Sequence, residues 1–344
     1  MIEWLRRLAS LKLTLAIFGL LAFSVLLAYR SEVRTSPWLV FSLALLALNL
    51  LAAIATNHFF RRQLPLLVFH LALLALILLI ALGRLTYLRG QAEVVEGAEF
   101  SGYLVKAEAG PWHSGALEQV RFVNDGFKIA YAEGLTRLGT QNWVSWRDDQ
   151  GNEQNQVVGD HVPLVLKHYR FYTTSNKGFA LVFEWQPKVG KPGLGTVNLP
   201  SYPANALKQA RQWTLPGLTE PLWAMLQFEG ELIPRDRAGE FRLPDDYQVV
   251  VRHGEQRWEL SMLKAGAEPG AAQIIELPGG KLVYRGLRSW MGYMVVYDRT
   301  LPWLLLAAGL AVLAMAWHFW RKFAAQPWNP ENNAAPGVMP GIVD

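Results

Sequence analysis

One histidine sits alone in an apolar run. Residues 64–83 read LPLLVFHLALLALILLIALG, with no acidic or basic side chain and His70 as the one titratable group. His70 lies six residues beyond Leu64, about 9 Å along a helix axis at 1.5 Å per residue. An ionisable group inside a bilayer is costly and rare, so a functional role is the first reading. Neutral imidazole can ligate haem iron or carry a proton. The competing reading is an interhelical hydrogen bond, with Asn49 or Asn57 as partner. His318, just before Trp320-Arg321-Lys322, reads as an interfacial anchor, because aromatic and basic residues collect at membrane surfaces. His113, His161, His168 and His253 stand at no metal-ligand spacing and read as ordinary surface or core histidines.

Other chemistries are excluded by what is missing. The chain has no cysteine, which removes disulfides, thiol exchange, iron–sulfur clusters, a cysteine nucleophile and the Cys-x-x-Cys-His haem attachment site. No G-x-S-x-G, glycine-rich phosphate loop, H-E-x-x-H pair or calcium loop occurs. The run Trp143-Val144-Ser145-Trp146-Arg147-Asp148 is explained by a strand with two aromatics beside a turn.

The elements that must position His70 follow from hydropathy. Over 344 residues, 51% are hydrophobic and 18% charged, an average that hides strongly apolar stretches in an otherwise ordinary chain. Four runs of about 20 residues match a hydrocarbon core of about 30 Å: residues 11–29, 38–57, 64–83 and 301–320. The first has a basic start but ends Leu27-Ala28-Tyr29-Arg30, without a small-x-small cleavage pattern, so it reads as a retained anchor. Arg6 and Arg7, Arg61 and Arg62, and Arg321 and Lys322 fall on one side if the spans alternate, which predicts that both termini are cytoplasmic. The opposite flanks carry Arg30, Arg34, Arg84 and Arg89, interspersed with Glu32, Glu93 and Glu96. The net charge of +5 is accounted for by flanks that meet anionic lipid, and needs no nucleic acid.

The chain therefore divides into three helices within residues 1–83, a β-rich extracytoplasmic domain at 84–300, a fourth helix at 301–322 and a disordered cytoplasmic tail at 323–344. The fold class is helical membrane protein plus a mainly β domain, an antiparallel sandwich or open barrel. Residues 119–132 alternate around Asn124-Asp125-Gly126, a hairpin signal. Residues 162–185 hold two β-rich runs split at Ser175-Asn176-Lys177-Gly178, and residues 249–263 pair around His253-Gly254. Residues 274–297 turn at Pro278-Gly279-Gly280. Two short helices are predicted at 204–213 and 221–228, the second with Thr219 as N-cap and Pro221 in its first turn.

Several stretches resemble the ResB family of cytochrome c biogenesis proteins, the System II pathway. Ser10-Leu11-Lys12-Leu13 opens the first span as in that family. Asn49 lies within LALLALNLLAAI, followed by Arg61-Arg62, and Phe69-His70-Leu71 leads an aliphatic third span. Gly90 precedes Val95-Glu96-Gly97-Ala98-Glu99-Phe100, and residues 292–310 place Asp298 before the last span and Gly309 within it. The likeness is specific mainly in the membrane parts. Two departures stand out: Ala28-Tyr29-Arg30-Ser31 replaces a Gly-Thr and proline, and Asp298-Arg299-Thr300 replaces Asp-Pro-Gly.

The resemblance implies a location in the bacterial inner membrane and a ResC/CcsA-type membrane partner. It implies export of haem b and its presentation to apocytochrome c, with no catalysis by this chain alone. His70 matches the family's third-span histidine, an axial haem ligand, and the second ligand would come from the partner. Two rival readings are a structural subunit that packs through Ala307, Ala308, Ala311 and Ala314, and a b-type electron carrier, which needs paired intramembrane histidines.

Overall fold

In the computed structural model, residues 2–30, 36–261 and 273–324 are described. The tail expected to be disordered lies, beyond Ala324, outside them. A short helix α1 (Ile2–Leu8) precedes α2 (Leu11–Arg30) and α3 (Pro37–Thr56). A single short turn, α4 (His58–Arg62), leads into α5 (Leu64–Thr86), and α6 (Leu301–Ala324) follows much later. Among the described residues, α2, α3, α5 and α6 are long and apolar enough to cross a membrane, and each overlaps its predicted run. Pro37 and Pro65 open α3 and α5 in the first turn, where their missing N–H is not needed. Asn57 ends α3 by donating its backbone N–H to Ala53, and starts α4 by accepting from the Phe59 N–H. The outer faces are apolar: Leu15 is 64% and Leu305 77% exposed, as suits helices solvated by lipid.

The chain forms two compact units. One comprises the chain up to Tyr87, Gly110–His113 and the chain from Asp298; the other comprises Leu88–Ala109 and Ser114–Tyr297. The second unit is built from strands. They begin with β1 (Leu88–Val95), β2 (Lys106–Ala109), β3 (Val123–Ala132), β4 (Thr136–Arg147) and β5 (Glu153–Val158). Next come β6 (Leu164–Leu166), β7 (Tyr169–Pro187), β8 (Gly193–Asn198), β9 (Ala210–Trp213) and β10 (Leu222–Gln227). The last are β11 (Gly239–Glu240), β12 (Gln248–His253), β13 (Gln256–Ser261), β14 (Ile274–Leu277) and β15 (Gly280–Tyr297).

They make three antiparallel sheets. The seven-stranded sheet runs β2-β1-β15-β7-β6, with β14 on β15 and β8 on β7. The four-stranded sheets run β13-β12-β10-β9 and β11-β3-β4-β5. One core joins them, with Phe122, Phe171, Phe179 and Tyr293 at 0–1% exposure. Each such ring contributes about 1.5–3 kcal/mol by burial. Phe122 meets Phe171 edge-on at 5.0 Å and Tyr293 at 5.6 Å, both favourable for aromatic quadrupoles. A polar network runs through this core. The Tyr293 hydroxyl donates to Asn142 Oδ1, and Asn142 Nδ2 donates to Asn124 Oδ1 at 2.7 Å and the Gly126 carbonyl at 2.8 Å. Asn124 Nδ2 donates to the Val94 carbonyl at 2.9 Å. β15, β4, β3 and β1 are thus held in one register by side chains that are buried and paired. Burial pushes the Tyr293 hydroxyl well above the usual phenol range.

Four local expectations are corrected. Asn124-Asp125-Gly126 is not a hairpin turn but a bulge inside β3, opposite Val144 and Trp143. Asn124 is drawn into the buried network, Gly126 supplies a φ of +121°, and the strand continues to a turn at Glu133–Leu135. Ser175-Asn176-Lys177-Gly178 does not split two strands; β7 runs through it, with a register shift where Met291 pairs Lys177 and Tyr293 pairs Thr173. Gly292 allows that bulge, because a Cβ there would lie 2.8 Å from the Asn176 carbonyl. The predicted helix at 221–228 is strand β10. Leu222, Ala224 and Leu226 are buried in alternation, a period of two, and β10 pairs with β12 and β9. The predicted helix at 204–213 is one 3-10 turn, Ala206–Lys208, followed by β9. The turns at His253-Gly254 and Pro278-Gly279-Gly280 join β12 to β13 and β14 to β15 as expected; Met262 and Leu263 lie outside the described residues.

Lys177 is 3% exposed. Its Nζ lies 4.8 Å over the Tyr131 ring and donates to the Ser175 carbonyl at 3.3 Å. Burial and the nearby Arg137 guanidinium lower its pKa to about 8. The unfolded chain, whose lysine titrates near 10.5, holds more protons between those values, so stability rises with pH across about 8–10.5. Burial pushes Tyr131 up to about 12, so its folded form keeps a proton that the unfolded chain loses. Stability therefore falls again above about pH 10. Lys177→Met is expected to stabilise the protein at pH 7 by about 2–3 kcal/mol and to remove the rise. Urea unfolding in nanodiscs, followed by tryptophan fluorescence at pH 7, 9 and 10, measures both effects. An unchanged pH slope in the variant would refute the assignment.

Candidate functional site

His70 stands in the second turn of α5. Helix α5 starts there because Gln63, in extended conformation, precedes a Leu-Pro pair that fits a first turn, and an unbroken aliphatic run follows. The Nδ1 atom of His70 lies 2.7 Å from the Leu66 carbonyl of its own helix. A carbonyl can only accept, so Nδ1 carries the hydrogen and the neutral ring keeps its lone pair on Nε2. Among the described residues, Nε2 has no hydrogen-bond partner. The half-buried ring is steadied by Phe60 at 4.2 Å, tilted by 40°, and by Phe69 edge-on at 5.3 Å. Such an imidazole, with one tautomer selected and its second nitrogen available, can bind a metal or accept a proton.

The partners considered for His70 in the sequence are otherwise engaged. Asn49, 4% exposed, accepts from Thr14 Oγ1 at 2.8 Å and donates to the Leu8 carbonyl at 2.5 Å. It therefore clamps α1 and α2 onto α3. Asn57 caps α4. The histidine's intrahelical bond replaces the interhelical one.

His318 does more than mark an interface. Together with Phe59, Arg62, Leu66, Arg321 and Lys322 it lines a cavity of about 510 Å³ at the Gln63 end of α5. Leu66, whose carbonyl receives the His70 hydrogen, is shared by cavity and histidine. The signal in the sequence was the pair of basic clusters flanking the third and fourth spans, with no acidic residue in either flank; which side chains converge was not visible.

His113 and Gly110 act structurally. His113 Nδ1 donates to the Thr86 carbonyl at 2.9 Å, and the Trp112 N–H to the Leu85 carbonyl at 2.8 Å, so Gly110–His113 satisfies the last turn of α5. A Cβ on Gly110 would meet the Leu85 carbonyl at 2.2 Å, which requires glycine there. His253 has a buried Nε2 without a partner among the described residues. Helix α6 packs on α5: Gly83 leaves room for Thr300, and Asp298 Oδ1 accepts from the Thr300 N–H and hydroxyl. Of the small-residue stripe, Ala307, Ala311 and Ala314 are buried within the chain itself and Ala308 is half-buried.

Asn49→Leu is expected to insert normally, since it removes a polar burden from a span. It should lower resistance to SDS-induced unfolding by about 1–2 kcal/mol, because Thr14 and the Leu8 carbonyl lose their partner. Equal unfolding midpoints for the two proteins would show that the clamp contributes nothing.

A family model described as the ResB-like family matches residues 53–322. No curated protein matches the chain.

Proposed function

The chain belongs to the ResB-like family, which is associated with cytochrome c biogenesis, and from that premise we propose that it handles haem b within the membrane and presents it to apocytochrome c together with a ResC/CcsA-type membrane partner. His70 would hold the haem iron through its ring nitrogen Nε2, and the partner would supply a second ligand. The protein lies in the bacterial inner membrane with both termini cytoplasmic and residues 84–300 outside. On this arrangement His70 sits near the leaflet that faces haem synthesis.

One observation carries the reading: the Leu66 carbonyl fixes the hydrogen on Nδ1, and Nε2 has no partner among the described residues. Metal-bound histidines characteristically donate their other nitrogen to a carbonyl or carboxylate, which sets the tautomer and raises basicity. The aliphatic side chains around His70 suit the apolar face of a porphyrin. Among the described residues, no second histidine lies deep in a span, so a self-contained bis-histidine electron carrier lacks its pair. Haem brings its own redox chemistry; this chain's part is to hold the iron by a neutral ligand, exclude water around it and orient it toward the partner.

His70→Ala should insert and associate with the partner normally while losing the low-spin haem absorbance and most cytochrome c maturation. Added imidazole should restore part of both, by supplying the missing nitrogen. Glutamine at position 70 should fail like alanine, whereas a purely hydrogen-bonding histidine would tolerate it. Co-purification of His70→Ala with normal haem would end the ligand assignment.

The orientation is tested separately by reporter fusions. Fusions after Arg62 and Lys322 should report cytoplasm, and one at Gly151 the opposite compartment. A cytoplasmic signal at Gly151 would overturn the topology.

A further inference from the structure

We propose that the cavity at the start of α5 is a carboxylate site, which receives the two propionates of the haem whose iron His70 holds. The inference rests on the haem reading above. Its independent support is an electrostatic imbalance. Arg62, His318, Arg321 and Lys322 converge on a cavity of about 510 Å³, and two of them, the arginines, are charged at every physiological pH. Residues 57–66 and 316–324, which supply all of its walls, contain no aspartate or glutamate.

Among the described residues, no carboxylate pairs with Arg62, Arg321 or Lys322. In the β domain, by contrast, Arg137 pairs with Asp160 at 3.0 Å and Arg285 with Glu184. The first turn of α5 adds to the positive potential: Gln63 makes no side-chain cap, so backbone N–H groups remain for a ligand, and the helix dipole is positive at that end. Several cations gathered at a membrane surface, with no counter-charge among the described residues, call for an anionic ligand.

Which anion is settled by what else the cavity touches. Leu66 is both a wall of the cavity and the residue whose carbonyl orients His70, one helical turn further on, about 6 Å along the axis. Phe59 and Leu66 give the cavity an apolar side. A ligand with a metal centre, a flat apolar body and two carboxylates on one edge meets all three requirements: nitrogen at His70, aliphatic contact along α5, and cations at the helix start. A phospholipid would meet the last two but has no metal for His70 to hold.

The test uses the full chain in phosphatidylcholine nanodiscs, titrated with haem and with haem dimethyl ester, whose carboxylates carry no charge. Wild type is expected to bind the free acid about tenfold or more tightly than the ester. Arg62→Gln combined with Arg321→Gln should abolish that preference by weakening only the acid, and should leave the Soret band of histidine-ligated haem in place because His70 still coordinates. The matching double lysine variant should keep part of the preference, which guards against a folding defect.

His70→Ala should do the reverse, altering the band while its residual binding still favours the acid. Equal binding of acid and ester by wild type, or a preference that survives the double glutamine change, overturns the carboxylate site and leaves the His70 ligand standing. An unaltered band in His70→Ala overturns the ligand and leaves the site. Failure of wild type to bind either form overturns both. If the double glutamine change alters only retention of phosphatidylglycerol, counted by mass spectrometry, the cavity holds a lipid phosphate and the proposal is wrong.

Discussion

Hydrocarbon offers no hydrogen bonds, so each polar group within the spans must find its partner inside the chain. The helical unit satisfies this locally wherever it can. Ser24 donates to the Leu20 carbonyl at 2.8 Å, Thr56 to Ala52 at 2.7 Å, and Thr86 to Leu82 at 2.9 Å, each one turn back along its own helix. His70 obeys the same rule toward Leu66. Asn49 has more capacity than its own helix can satisfy, and so it reaches Thr14 and Leu8 and ties α1 and α2 to α3. Because an imidazole has two nitrogens and the helix can occupy only one, the same constraint that orients His70 leaves Nε2 over. That nitrogen is what remains after the solvent's demand is met.

The β domain answers to water and solves a different problem. Without cysteine it has no covalent staple, and its long strands must resist slipping by one residue, which would turn every side chain to the wrong face. The Tyr293–Asn142–Asn124–Val94 chain of hydrogen bonds pins register across four strands in a core where an unpaired polar group would cost about 1–3 kcal/mol. The bulges at Asp125 and around Asn176 belong to the same solution, since each adds the residue that brings a side chain or carbonyl into place. Lys177 and the Tyr131 hydroxyl, which has no hydrogen-bond partner among the described residues, are opposite in kind: their burial costs stability, which the lysine's bond to Ser175 and its contact with the Tyr131 ring offset only in part.

Charge in the two units is arranged in contrasting ways. In the β domain most guanidinium groups face a carboxylate, as with Arg121 and Glu99 at 3.5 Å or Arg257 and Glu259 at 2.5 Å. Around the cavity at the start of α5 and the end of α6 the described residues supply cations alone. Isolated surface cations at membrane flanks orient a protein; cations that also share a cavity can bind something. The distinction depends on convergence, which hydropathy does not report.

What the sequence by itself determined is whatever depends on sums over neighbouring residues. Transfer free energies add along a helix, so the four spans and the isolation of His70 could be read directly. The flanking arginines and lysines, the missing thiols and the glycine turns at Gly254 and Gly279-Gly280 were legible for the same reason. Tertiary structure decided everything that depends on which of several satisfiable partners lies nearest. Asn124-Asp125-Gly126 has the composition of a hairpin turn, but the buried Asn142 from β4 competes for the asparagine and keeps the strand going. Leu222 to Gln227 would suit a short helix, until pairing with β12 and β9 on both sides makes the extended form the one that satisfies its backbone. His70 could have bonded Asn49 or Asn57; Thr14 and Phe59 held those first. His318 joined Arg62 across more than 250 residues of chain only because α6 packs on α5, and no local pattern encodes a contact between residues so far apart.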